Sequence, residues 1–159
     1  MSDFNAMRKF KKYSFNVSTP AVEVFPLLCP VREHEWVQVW AAKMIYSQSG
    51  VAEKGCVFLT DFPQRGGQAI WVVSRHEPEN NLIEFVIVYP GFMVDMLEIT
   101  LKEQDSQTTL TWSRTYTGLS QAGNDYIINK VDGLFEKMMS MVEKSLQHFC
   151  RTGEMLKLD

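Results

Sequence analysis

The stretch Asn124–Cys150, NDYIINKVDGLFEKMMSMVEKSLQHFC, decides the fold. Its apolar residues Ile128, Val131, Phe135, Met138, Met139, Val142, Leu146 and Phe149 recur at spacings of three and four, the period of one helix face. Gly118 to Gly123 form the loop into it, and Gly153 stands where a C-terminal cap belongs. The pattern predicts one helix over 120–152, roughly 45 Å long at ~1.5 Å per residue. A helix of that length, held by one curved sheet, leaves an internal space between the two. Gly133 costs such a helix ~1 kcal/mol against Ala. It either allows close packing or permits a bend that opens the space.

Upstream of this helix the pattern changes to period two. Lys11 to Val17 alternates, with Tyr13, Phe15 and Val17 on one face, and predicts a first strand. Thr19-Pro20 then opens a helix, with Thr19 as N-cap and Pro20 at the first helical position. Pro26 makes that helix short or kinked, because proline lacks the interior donor. A second short helix is expected from Val31 to about Trp40, with Trp36 and Trp40 four apart on one face. Strands follow at Met44–Tyr46, Cys56–Phe62, Gln68–His76, Leu82–Tyr89, Phe92–Lys102 and Thr108–Thr117, separated by segments rich in Gly, Pro, Asn and Asp. Successive hairpins beside separate helices mean α+β architecture rather than a parallel α/β sheet. No linker or repeat divides residues 1–159, so one domain is expected.

Composition bounds the partners. The chain carries a formal charge of −3, against the basic surplus of a nucleic-acid binder. Arg8, Lys9, Lys11 and Lys12 form the one basic cluster, read as a solvated edge. No apolar run reaches ~18 residues, so no integral membrane segment is expected, and no secretory h-region opens the chain. Cys29, Cys56 and Cys150 are odd in number and lack metal or redox spacing, which suits a reducing cytoplasm. His34, His76 and His148 show no metal-motif spacing, so neither metal nor cofactor is expected.

Several local stretches resemble the START-like, helix-grip superfamily, which includes plant pollen-allergen proteins and polyketide cyclases/dehydrases. They are Thr19-Pro20-Ala21-Val22-Glu23-Val24-Phe25, Leu28-Cys29-Pro30-Val31-Arg32-Glu33-His34-Glu35-Trp36, Ile70-Trp71-Val72-Val73 before Glu77-Pro78, and Thr109-Leu110-Thr111-Trp112 running to Tyr116-Thr117. Together with the element order, the resemblance covers nearly the whole chain. It implies a curved seven-stranded antiparallel sheet wrapped around the long C-terminal helix, two short helices after the first strand, and an internal ligand cavity.

Strand parity selects the candidate lining. Leu110, Trp112, Arg114 and Tyr116 share one face of the last strand, and Asp95, Leu97, Ile99 and Leu101 face them across the hairpin. Arg114 therefore falls near Asp95 or Leu97 on an otherwise apolar face. A buried arginine requires a partner. An Asp95–Arg114 pair is open to three readings: a structural ion pair, a ligand anchor, or an acid–base site. Ile83, Phe85, Ile87 and Tyr89 make the inner face of their strand. For Gln68–His76 the set Trp71, Val73 and Arg75 is preferred over Ile70, Val72, Ser74 and His76. The candidate ligand-lining residues are Trp36, Trp40, Phe58, Trp71, Phe85, Tyr89, Asp95, Leu97, Trp112, Arg114, Tyr116, Phe135, Met138 and Met139. Apolar pockets are lined by such aromatic and flexible side chains with a few polar groups.

Three functions compete. The first is binding of a small hydrophobic or amphipathic molecule. The second, implied by the resemblance, is a polyketide cyclase, aromatase or dehydratase type of enzyme, with Asp95, Arg114, Tyr116 and Glu33 as acid–base candidates. The third is a protein-interaction module of the co-chaperone-activator type. Glu33 and Glu35 flank His34 near Trp36, as either a pocket gate or a solvated face.

Overall fold

A computed structural model describes residues 3–158. One seven-stranded antiparallel sheet carries the molecule. Its strands are β1 (Arg8–Val17), β2 (Ala42–Tyr46), β3 (Val57–Phe62), β4 (Gly67–Glu77), β5 (Leu82–Tyr89), β6 (Met93–Gln104) and β7 (Gln107–Gly118). They lie in the order β1-β7-β6-β5-β4-β3-β2. Helix α1 (Ala21–Val24) follows β1, and α2 (Gln121–Asn129) and α3 (Val131–Thr152) close the chain.

The β6–β7 hairpin turns at Asp105 and Ser106, both at positive φ (54° and 65°), the conformation that matches the right-handed twist of the flanking strands. Alternation holds along β5, β6 and β7. Ile83, Phe85, Ile87 and Tyr89, then Asp95, Leu97, Ile99 and Leu101, then Leu110, Trp112, Arg114 and Tyr116 are all buried on the face toward α3. Burying the large apolar side chains among them contributes ~1.5–3 kcal/mol each before entropy is counted.

Several expectations are corrected. The C-terminal helix is interrupted at Lys130, whose φ of −118° leaves the helical range. Two backbone bonds carry the ladder across the break, Lys130 N–H to the Tyr126 carbonyl (2.8 Å) and Leu134 N–H to the Lys130 carbonyl (3.1 Å). The result is a one-residue break, and α3 alone is 22 residues, roughly 33 Å. Its phase also shifts: Ile127 is buried and Ile128 is exposed. Gly133 does not serve close packing, since a Cβ there meets open space.

The second short helix shrinks to a 3-10 turn, Glu33–Glu35. Trp36 and Trp40 are held instead by their indole N–H groups, which donate to the Leu27 and Pro30 carbonyls (2.9 and 2.8 Å). Helix α1 gives way at Phe25 to a 3-10 turn over Phe25–Leu28 containing Pro26, and Pro20 rather than Thr19 takes the N-cap position. In β4 a register shift between Val73 and Arg75 reverses the parity. Trp71 and Val73 point inward as preferred, Arg75 points out, and His76 turns in against Phe25 (5.7 Å between ring centres). The basic edge is not wholly solvated. Lys9 and Lys11 reach Asp132 on α3 (3.4 and 3.2 Å), and Lys11 lies over the Phe135 ring.

Candidate functional site

Between the sheet and α3 lie two adjoining lobes of internal space. The apolar lobe, about 60 Å³, is walled by Trp36, Trp40, Phe58, Trp71, Phe85 and Trp112, among others, with Met138, Met141 and Val142 from α3. Its aromatic rings brace one another: Phe58 stacks on Trp71 (5.1 Å), and Trp40 meets Trp71 edge to face (5.7 Å). The Trp71 indole donates to Thr60 Oγ1 (2.8 Å). With Trp36 and Trp40 also bonded to backbone, these three indole donors are already used. The lobe therefore presents mainly ring faces and edges, with the Trp112 indole N–H as the one indole donor that makes no hydrogen bond among the described residues.

The polar lobe, about 40 Å³, is bounded by Arg65, Tyr89, Asp95, Arg114, Tyr116 and Tyr126, with Val131, Leu134, Phe135 and Met138 closing it. Arg65, Tyr89, Arg114 and Met138 border both lobes. At one water per ~10–15 Å³, each lobe holds a few waters or a small chemical group. The wall on the α3 side includes methionines, which repack easily.

Asp95 and Arg114 meet at the partition. Leu97 is the direct cross-strand partner of Arg114, and Asp95 is that of Tyr116, so the ion pair runs along the sheet diagonal. Arg114 Nη1 donates to Asp95 Oδ2, and Arg114 Nη2 approaches the Met138 sulfur at 3.8 Å. Asp95 Oδ1 and Arg114 Nε are buried with no hydrogen-bond partner among the described residues. Burial pushes the Asp95 carboxyl up, against the pull of Arg114. For Arg114, burial is the largest cause and acts downward, but Asp95 together with Tyr116 and Tyr89 carries the net direction up. The arginine decides the state. A guanidinium does not release its proton in a protein, and a lone buried cation costs more than the pair, so the pair is ionised.

The phenols complete the lobe. Burial, the largest cause in each case, raises Tyr116 and Tyr126 and pushes Tyr89 up to about 12, so all three remain protonated donors. The Tyr89 and Tyr116 hydroxyls make no hydrogen bond within the described protein, and Tyr126 makes one long contact, 3.5 Å to the Gln64 carbonyl. Glu33 borders the apolar lobe. By accessible area it is half-buried, yet protein atoms surround its carboxyl, and this enclosure governs its titration. Burial raises it well above the usual range, opposed in part by Arg114, so it holds its proton more firmly than an ordinary glutamate.

Of the fourteen candidate residues, thirteen border these lobes. Met139 does not: it is fully buried in the packing of α3, one position round the helix from Met138. Arg65, Tyr126 and Val37 line the space without having been anticipated. Arg65 sits on the 3-10 turn Pro63–Arg65, where sequence offers only turn residues. Gly66, at φ 101°, lets that turn lie on the Tyr89 ring, which a Cβ there would approach to 3.1 Å. Tyr126 falls outside the stripe because its phase belongs to α2.

No protein-family model and no curated protein matches the chain. Solved structures do. The Zhui aromatase/cyclase from Streptomyces sp. R1128 is similar with a TM-score of 0.71 at 12% identity, over 91% of this chain and 94% of that one. Ginseng major latex-like protein 151 from Panax ginseng is similar with a TM-score of 0.67 at 12% identity, over 89% and 97%. DynU16, from the dynemicin biosynthetic locus, gives 0.63 at 21% identity over 91% of this chain and 48% of its own. At these identities the likeness speaks for the fold, and with the sheet order and the long C-terminal helix it gives this chain a helix-grip α+β fold.

Proposed function

We propose that this chain binds one small hydrophobic or amphipathic molecule between the sheet and α3. The observation that carries this reading is the pairing of an aromatic lobe in which three of the four indole donors are used with a polar lobe whose Tyr89 and Tyr116 hydroxyls are not. A compact core has no need of unpaired buried phenols, whereas a pocket uses a few convergent polar groups to orient an apolar ligand. That proteins of this architecture include a major latex-like protein and an aromatase/cyclase supports the reading at the level of fold. Free cysteines at 29, 56 and 150 fit a cytoplasmic setting, and no helix among the described residues is long and apolar enough to cross a membrane.

Native mass spectrometry of protein purified from its own host tests this directly. The expected result is a co-purifying organic molecule, released on denaturation, and saturable binding of apolar probes that shifts tryptophan emission. Failure of every apolar probe to bind would overturn the reading.

A second reading is catalysis of the cyclase or dehydratase type. Glu33 favours it: a carboxyl whose hold on its proton burial strengthens, inside a cavity and near a fixed arginine, has the environment of a general acid. Mass spectrometry of a ligand recovered after incubation with wild type and with Glu33→Gln distinguishes the readings. A catalyst alters the ligand in the first case alone; a carrier returns it unchanged from both.

A further inference from the structure

We infer that the ligand is an organic acid, its monoanionic carboxylate held in the polar lobe by Arg65, Tyr89 and Tyr116 and its apolar body in the aromatic lobe. This rests on the ligand-binding reading above and adds the chemical class.

Charge balance carries the argument. Three charged side chains border the polar lobe: Arg65, Arg114 and Asp95. Asp95 is committed to Arg114. Arg65 makes no ion pair or hydrogen bond among the described residues; its close partner is the Phe62 ring, 5.0 Å away. The lobe is thus left with one uncompensated positive charge in a largely desolvated place, which is costly until an anion arrives. Glu33 shares the apolar lobe with Arg65 but makes no ion pair or hydrogen bond with it among the described residues, and burial works against its ionisation.

Hydrogen-bond capacity points the same way. The unused protein groups at the lobe are mostly donors: the Tyr89 and Tyr116 hydroxyls, the Arg65 guanidinium and Arg114 Nε, against one unused carboxylate acceptor, Asp95 Oδ1. A carboxylate is acceptor-only, with two oxygens and about four lone-pair sites. It is also small enough for about 40 Å³ and leaves room for a single ring or short chain in the adjoining lobe. A neutral hydroxyl or amide would leave the Arg65 charge standing. A phosphate dianion would exceed it. Because Arg65, Tyr89, Arg114 and Met138 border both lobes, one molecule can span them, head in one and body in the other.

Isothermal titration with 4-phenylbutyrate, 4-phenylbutyramide and butylbenzene at neutral pH tests the inference. Wild type should bind the carboxylate at least about ten-fold more tightly than the amide, the ratio expected for a charge-assisted contact. Arg65→Gln should erase that preference and leave butylbenzene unaffected. Lys12→Gln, the same charge change on the exposed side of β1, should keep it. If Arg65→Gln melts well below wild type, Tyr116→Phe replaces it, and should weaken the carboxylate while sparing butylbenzene. Equal affinity for carboxylate and amide in wild type, or a preference that survives the substitution, overturns the inference and leaves the binding reading intact. Failure of all three compounds to bind overturns both.

Discussion

At the scale of single residues, the cavity concentrates groups whose ionisation burial opposes, and this gives stability a pH dependence of known sign. Glu33 is raised well above its ordinary value near 4.5, chiefly by burial. Its proton is therefore bound more tightly in the folded state than in the unfolded one. Below about pH 4.5 both states hold it; as pH rises from there to the folded value the unfolded state alone releases it, so stability falls progressively and then levels off. Glu33→Gln should melt with wild type in acid and above it at neutral and alkaline pH, a widening gap that thermal melts across pH would record. A constant gap would mean that the carboxyl is solvated. The Asp95–Arg114 pair makes a second test. Arg114→Met leaves an unpaired buried carboxylate and should cost ~3–5 kcal/mol in chemical denaturation, and adding Asp95→Leu should recover much of it. Both pair members were legible in the sequence, because one clean alternation in each of β6 and β7 fixes their faces. Arg65 was not legible. A turn has no period, and what aims its side chain inward is the seat of Gly66 on Tyr89, a contact with a residue 23 positions away.

At the scale of elements, sequence read types well and junctions poorly. The strands of the β5–β6–β7 meander and the cap at Gly153 fall where periodicity and turn residues place them. Two junctions do not. The bulge in β4 shifts the phase after Val73, and no residue there announces it. The break at Lys130 sits inside a run of acceptable helix formers. Its physical setting is tertiary: α2 packs on β7 and α3 on β1, so one straight rod does not serve both. Glycine substitutions near the two helix starts separate packing from propensity. A Cβ on Gly123 would lie 1.8 Å from the Phe92 carbonyl oxygen, so Gly123→Ala must push α2 off the β5–β6 connection. It should destabilise by ~1–3 kcal/mol, the usual cost of overpacking. Gly133→Ala meets open space and removes unfolded-chain freedom, so it should stabilise by up to ~1 kcal/mol. Opposite shifts in melting temperature check the pair; shifts of the same sign would refute the packing account of one of them.

At the scale of the whole molecule, the sheet ends in two edge strands with very different support. Strand β1 pairs with β7 at ten consecutive positions, Arg8 to Val17. It is also clamped by α3: Tyr13 donates to Glu143, Gln147 Nε2 donates to the Asn16 carbonyl (2.9 Å), and Lys9 and Lys11 reach Asp132. At the other edge, β2 pairs with β3 at Ala42, Lys43, Met44 and Tyr46 only, with a register shift before Tyr46. Ile45 and Tyr46 are exposed. Local opening follows exposed hydrogen bonds and sparse burial, so the two edges should separate in native-state hydrogen exchange. Amides of β6 and β7 should exchange slowest, those of β1 nearly as slowly, and those of β2 fastest. The same asymmetry has a functional consequence. Strand β3 and the Pro63–Arg65 turn, which bring Phe58, Phe62 and Arg65 to the cavity, lie beside the loose edge, while the Asp95–Arg114 pair lies in the stable hairpin. A bound ligand touching both should therefore slow exchange at β2, β3 and that turn, and change β6 and β7 little. Equal protection of β1 and β2, or ligand-induced protection confined to β6 and β7, would contradict this account of the two edges.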